Sequence, residues 1–433
     1  MGASKVKTVR VSKYSYLLLP YILIMKNTIV LLLSLTSALF TFGQNAEALY
    51  RKADSLYTLK EFTHAAVAYS DAIKIGNNTP VRIYRAGAAS WAMASKPDSA
   101  FKLLSIITTS GKTTNFDVYQ IENGVHYSGL HTDKRWKPLI EALRKQGEKN
   151  SFRQEECIYG RKDGIALTLV WIKPKVPSNG KAIIVVVSGG WVSGYNGIEI
   201  SSSSAEKFLS KGYEVFAVVH GSQPRYAIPD AVNDIKRAVR YIRYNASRFG
   251  IDPNKIGITG GSAGGHLSLV VATPDDEPNP AANDPVDRVS SRVQAVAVLY
   301  PPTDFLNWGG RGMNLINAKE ILKMNRSWGA ADFRVWNERF RLYEEVTDTA
   351  ARNKIAKEIS PLYFVSADDP PVFIIHGDAD PTVPLQQSQA IVTRLNETGI
   401  PHRFVIKKGG KHNPDHMNPE WEEFADWFDK YLK

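Results

Sequence analysis

From Phe152 onward, short continuous apolar runs alternate with longer amphipathic stretches, and this alternation constrains the fold more than any other feature of the chain. The runs are Ala166–Ile172, Ala182–Val187, Glu214–Val219, Ile256–Thr259, Val293–Tyr300, Pro371–His376 and Arg403–Ile406. A strand with one wet face alternates apolar and polar side chains. Runs this uniformly apolar and β-branched suit strands covered on both faces. The stretches between them, Ser204–Lys211, Pro229–Arg248, Ala263–Val271, Leu385–Asn396 and Pro419–Tyr431, carry the apolar stripe of a helix. The order predicts an α/β domain over 151–433, a doubly wound and mostly parallel sheet with helices on both faces. Phe305 to Ser360 breaks the pattern, with Trp308, Trp328 and Trp336 among charged residues. That stretch, about 305–360, reads as a small insertion over the sheet edge.

One segment of this domain carries chemistry. Ile256 to Leu267 reads as strand, tight turn and helix, with Ser262 at the apex of G-x-S-x-G. A nucleophile in so sharp a bend needs small neighbours two residues before and two after, and Gly260 and Gly264 supply them. The bend lifts the hydroxyl above the sheet and aims a helix N-terminus at developing negative charge. A serine needs a base, and the base an orienting acid. Both are expected after Ser262, acid first. Asp378 and Asp380 follow the Phe373–His376 run, at a strand's carboxyl end, where sites form. Asp380 is the better acid, because it projects further and directly precedes the next helix. Asp378 is then expected to accept N–H bonds within its own turn, and His376 to be a strand-end residue. His412, in the loop after Arg403–Ile406, is the expected base, with His416 as its rival. The oxyanion needs backbone donors. Ala263 follows the nucleophile, and the Ser188-Gly189-Gly190-Trp191 loop offers Gly190 and Trp191 ahead of Gly189.

These residues resemble the α/β-hydrolase fold. Within it they resemble serine esterases and lipases with an H-G-G-G-W-type oxyanion loop, of the acetyl- and carbohydrate-esterase, BD-FAE-like kind. The resemblance runs from about Phe152 to the end. It rests on Gly189-Gly190-Trp191, the Gly260–Gly264 elbow, His376-Gly377-Asp378-Ala379-Asp380, the His412 loop and the Pro229 to Asp234 helix start. It implies Ser262 as nucleophile, Asp380 as acid and His412 as base. One residue departs from it: Ser188 stands where the family usually carries a loop-bracing His. His220 likewise replaces a Tyr-Arg pair and reads as a loop brace rather than a catalytic group.

Before this domain, residues 45–150 read as all helix. Leu49, Ala53, Leu56, Ala65 and Tyr69 recur 35 residues later as Tyr84, Ala88, Trp91, Ala100 and Leu104. This is similar to two tetratricopeptide repeats, with a capping helix from Asp133 to Gln146. Such a unit is either a structural appendage, the favoured reading, or a docking surface for a protein partner. Residues 1–44 hold two apolar runs split by Lys26. The second resembles a signal peptide starting at Met25 and cleaved near Gly43/Gln44, which implies a periplasmic or secreted protein. The alternative is an N-terminal membrane anchor over 14–42, which would carry Lys26 and Pro20 into the hydrocarbon; no stable span is expected.

The net charge of +11 includes five cations and no acid in residues 1–44, so the remainder carries only +6. That is a solubility charge, and no nucleic-acid partner is expected. The one cysteine, Cys157, excludes an intrachain disulfide framework or zinc knuckle. The expectation is an exported hydrolase acting on small-molecule or carbohydrate esters, with neither metal nor organic cofactor. A prolyl-oligopeptidase-type peptidase would share the elbow but lacks its β-propeller here. A non-catalytic binding protein would not need all three triad residues.

Overall fold

The computed structural model describes residues 46 and 48–433, apart from 77–78, 151, 196–204, 274–277 and 413–419. The N-terminal apolar runs, the expected cleavage point and His416 lie outside the described residues. The chain divides into two compact units between Ser151 and Phe152.

The first unit is helical: α1 (48–58), α2 (Phe62–Ile75), α3 (Val81–Met93), α4 (Pro97–Thr109), α5 (Asn115–Asn123) and α6 (Trp136–Asn150). Ala53, Ala65, Ala72, Ala88 and Ala100 are all fully buried, and their missing bulk lets neighbouring helices approach. The closing helix presents Trp136, Leu139, Ile140 and Leu143 to the core, as its periodicity predicts. It starts three residues later than expected, because the Asp133 carboxylate accepts the Arg135 N–H and folds that entry into a turn. Helix α5 was not expected from periodicity. Its signal is local, a reciprocal Thr114–Asp117 capping box.

The second unit is built on an eight-stranded sheet: β1 (Gln154–Lys162), β2 (Ile165–Ile172), β3 (Ala182–Val187), β4 (Glu214–Val219), β5 (Ile256–Gly261), β6 (Ala295–Leu299), β9 (Val372–Gly377) and β10 (His402–Lys407). A separate hairpin pairs β7 (Arg334–Asn337) with β8 (Leu342–Glu345). The sheet order is β1-β2-β4-β3-β5-β6-β9-β10. It is parallel except at β1–β2 and β2–β4. The helices are α7 (205–210), α8 (Ile228–Tyr244), α9 (Ala246–Phe249), α10 (Ala263–Ala272), α11 (Lys319–Met324), α12 (Thr349–Glu358), α13 (Gln386–Thr398) and α14 (Glu420–Tyr431). Strand alternation divides the core in two. Ile184 and Val186 of β3 pack with α8 and α10, while Ile183, Val185 and Val187 pack with α7 and α14. Both faces are covered, which is why the strand sequences read as uninterrupted apolar runs. This is the α/β-hydrolase arrangement.

The stretch after β6 folds back onto this core. Phe305, Trp308, Leu315, Ile316, Leu322 and Phe333 are buried in the same core as α8 and α10. Burying them folds the insertion over the carboxyl ends of the strands, above the elbow. Arg334, Glu338, Arg339, Arg341, Glu344 and Glu345 sit on the exposed β7–β8 hairpin.

Candidate active site

Ser262 follows β5 and opens α10, with φ 54° and ψ −122°. A non-glycine residue there is strained and persists only if its surroundings over-determine it. They do. A Cβ on Gly260 would lie 2.6 Å from the Gly264 backbone, and one on Gly264 would lie 2.6 Å from the Val186 carbonyl oxygen. The strand and helix approach too closely for any side chain at either position. The Ser262 N–H donates to the Leu299 carbonyl at 2.9 Å, which ties the bend to β6.

The expected acid and base converge on this serine. His412 Nε2 lies 2.9 Å from Ser262 Oγ, and His412 Nδ1 lies 2.7 Å from Asp380 Oδ2. The carboxylate can only accept, so Nδ1 carries the proton and Nε2 is free to receive one. The Asp380 side chain is fully buried, and its other oxygen accepts the Thr382 and Val383 N–H groups at 2.8 and 2.9 Å. Burial is the largest influence on this carboxyl and pushes its pKa up. The bonds from His376, His412 and the Val383 N–H outweigh it and hold the group well below the usual carboxylate range. The Tyr300 ring packs on His412 with centroids 4.3 Å apart.

Asp378 lies beside this line but not in it. It was expected to accept bonds from its own turn, yet its carboxylate accepts the Gly409 N–H from the loop that carries His412. The Asp378 N–H donates to Lys407 O and the Ala379 N–H to Gly410 O. The acid and base loops are therefore laced together across β9 and β10. His376 is more than a strand-end residue. It is fully buried, with Nδ1 2.7 Å from Ser388 Oγ, Nε2 3.0 Å from Val383 O, and Asp380 Oδ2 3.4 Å away. The i,i+4 spacing of His376 and Asp380 across a strand end was the signal available in the sequence.

The Ser188–Trp191 loop, the expected oxyanion loop, turns on two successive left-handed residues, Gly190 (φ 56°) and Trp191 (φ 59°). Gly189 and Val192 exchange both backbone hydrogen bonds around them, at 2.9 and 3.0 Å. The Gly189 N–H is thereby occupied. The N–H groups of Gly190, Trp191 and Ala263 make no hydrogen bond among the described residues. All three residues line one cavity of about 760 Å³ with Ser262 and His412. The insertion contributes Trp308, Leu315, Leu322, Asn325 and Ser327 to its walls. No Asp, Glu, Lys or Arg lines it among the described residues. Among these residues, too, no helix is long and apolar enough to cross a membrane.

The sequence pattern of one family, BD-FAE, matches residues 170–395, just over half of the chain. The chain belongs to the BD-FAE family. The BD-FAE match spans the elbow and Asp380 and stops before His412. Relatives agree with it. A probable carboxylic ester hydrolase of Mycobacterium tuberculosis, LipM, is 30% identical over 55% of this chain and 50% of its own length. The chain spans about half the length of the first curated relatives it matches. An acetyl ester-xyloside bifunctional hydrolase from Caldicellulosiruptor lactoaceticus shares the fold, with a TM-score of 0.51 and 24% identity over 65% of this chain and 97% of that one. A truncated carbohydrate esterase from gut microbiota gives a TM-score of 0.50 and 25% identity, with the same coverages.

Proposed function

We propose that this BD-FAE chain is a serine carboxylic ester hydrolase that works through an acyl-enzyme. The observation that carries the reading is the continuous Ser262–His412–Asp380 hydrogen-bond line beside three backbone N–H groups in one cavity that make no hydrogen bond among the described residues. In the first half-reaction Ser262 Oγ bonds to the ester carbonyl carbon while His412 Nε2 takes the hydroxyl proton. The carbonyl π electrons move onto oxygen, where the Gly190, Trp191 and Ala263 N–H groups receive the charge. Loss of one such donor costs roughly 10²–10³ in rate. The tetrahedral adduct collapses, the C–O bond to the alcohol breaks, and His412 returns the proton to the leaving alkoxide. Water then repeats the sequence on the acyl-serine and releases the carboxylic acid. Asp380 holds the imidazole in one tautomer throughout and stabilises its cation.

The likeness to a carbohydrate esterase supports sugar esters as substrates. Among the described residues the cavity wall carries no charged side chain, which favours neutral esters over acidic ones, because an ion beside that wall would lose water without gaining a partner from it. Export through residues 1–44 is part of the same proposal. The test is an ester panel, short acyl chains against acetylated sugars, with Ser262→Ala alongside. Wild-type protein should trap the acyl mass on Ser262, and Ser262→Ala should lose turnover and fluorophosphonate labelling while melting near wild type. Full labelling of Ser262→Ala would move the nucleophile elsewhere.

A further inference from the structure

We infer that two buried imidazoles, His220 and His266, act as positioning residues that hold the oxyanion loop in its working shape. The inference rests on the hydrolase reading above. Its starting point is the loop's conformation. Trp191 is a bulky residue in the left-handed region beside Gly190, a strained state that needs external support. Support comes at both ends of the turn.

At the first end, Ser188 Oγ lies 2.8 Å from His220 Nε2, and His220 Nδ1 lies 2.8 Å from the Gly221 carbonyl oxygen. A carbonyl only accepts, so Nδ1 carries the hydrogen and Nε2 accepts the Ser188 hydroxyl. The segment carrying His220 is pinned in turn. The Gly221 N–H donates to Asp234 at 2.8 Å, and Asp234 is held by Lys162 at 2.7 Å from each oxygen. At the second end, the Trp191 indole N–H can only donate, and it meets His266 Nδ1 at 3.1 Å. His266 Nε2–H then donates to the Ile359 carbonyl at 2.7 Å. His266 lies on α10, four residues after Ser262. One side-chain bond therefore ties the loop's donors to the helix that bears both the nucleophile and the Ala263 N–H.

Each ring uses both nitrogens, one to donate and one to accept, which is possible only for the neutral form. Burial favours that form and lowers both pKa values to about 4. Neither ring lines the cavity, so neither is placed to touch substrate.

The experiment measures kcat per active site, titrated with a fluorophosphonate, together with KM and melting temperature. The variants are Ser188→Ala, His220→Leu, their double, His220→Gln, Trp191→Phe and His266→Asn. Small misplacement of transition-state donors predicts a roughly 10- to 100-fold fall in kcat for His220→Leu and Trp191→Phe. KM should stay within about threefold, because the donors act mainly in the transition state. His220→Gln and His266→Asn keep an acceptor near the lost nitrogen and should recover most of the rate. Ser188→Ala and His220→Leu delete two ends of one bond, so the double should be no slower than the slower single. Unchanged kcat per titrated site with only a lower melting temperature would overturn the inference, as would singles whose losses multiply. Wild-type protein that neither turns over an ester nor takes the label would instead sink the hydrolase reading, and this inference with it.

Discussion

Gly377 ends β9 at the point where the acid and base loops cross. A Cβ placed on it would lie 2.2 Å from the Gly410 carbonyl oxygen, 2.4 Å from its carbon and 2.8 Å from its Cα, all backbone atoms. Ordinary contact begins near 3.4 Å, so Gly377→Ala must drive the two backbones apart by about 1 Å. Gly410 cannot move alone. Its oxygen accepts the Ala379 N–H at 3.0 Å, and His412 is two residues further on. A shift of about 1 Å at a reacting group costs up to ~10² in rate, or roughly 2.7 kcal/mol of barrier. Gly377→Ala should therefore lower kcat by about two decades, with a smaller loss of stability from the stretched lacing. The measurement is kcat, KM and thermal transition on a hydrolysed ester. Gly129→Ala serves as the control, since a Cβ there meets nothing within 4 Å. If Gly377→Ala turned over within about threefold of wild type, the close approach would not be what places His412, and the argument from lacing would fail.

Asp380→Asn should lose turnover by up to ~10⁴ with little change in folding, whereas Asp378→Asn should cost less activity and show mainly as lower stability; turnover and melting temperature for both settle the order. The pH dependence of folding follows from His266. Its folded pKa lies below the unfolded value of 6.5, so the unfolded chain binds the extra proton between pH 6.5 and about 4. Stability therefore falls as pH drops through that window, by about 3 kcal/mol in total for this residue. Urea titrations from pH 7 to 4 should show His266→Asn with a shallower slope than wild type, by up to ~1.4 kcal/mol per pH unit. N-terminal sequencing of protein from the native host should begin near Gln44 or Asn45, and a mature chain retaining Leu31–Leu35 would contradict export.

Much of the catalytic unit was legible because both faces of its sheet are covered. Ala182–Val187 and Glu214–Val219 coincide with β3 and β4 for that reason. Strand β1 was missed because it is a half-wet edge, where Glu155, Glu156 and Arg161 interleave with Cys157 and Tyr159 and no continuous run forms. The hairpin β7–β8 was missed because it is solvated on nearly all sides and leaves no hydrophobic period. The line from Ser262 to Asp380 could be read from the order of chain segments and the elbow's glycines, which are local signals. The partners of Asp378, Ser188 and Trp191 could not. Each lies tens of residues away in sequence, and only the register of β9 on β10, of β3 on β4, or of α10 beneath the loop brings them together.

His412, the proposed base, follows β10, which closes one side of the sheet and has β9 as its sole neighbour there among the described residues. Ile406 on that strand is nearly half exposed. Peripheral segments of this kind open at lower free energy than the centre of a fold. On warming, β10 can detach and carry His412 away while β3, β5 and β6 keep Ser262 and the oxyanion loop in place. Thermal inactivation of this protein should then precede the loss of its bulk secondary structure. Amide protons of β10 should exchange with deuterium well before those of β5.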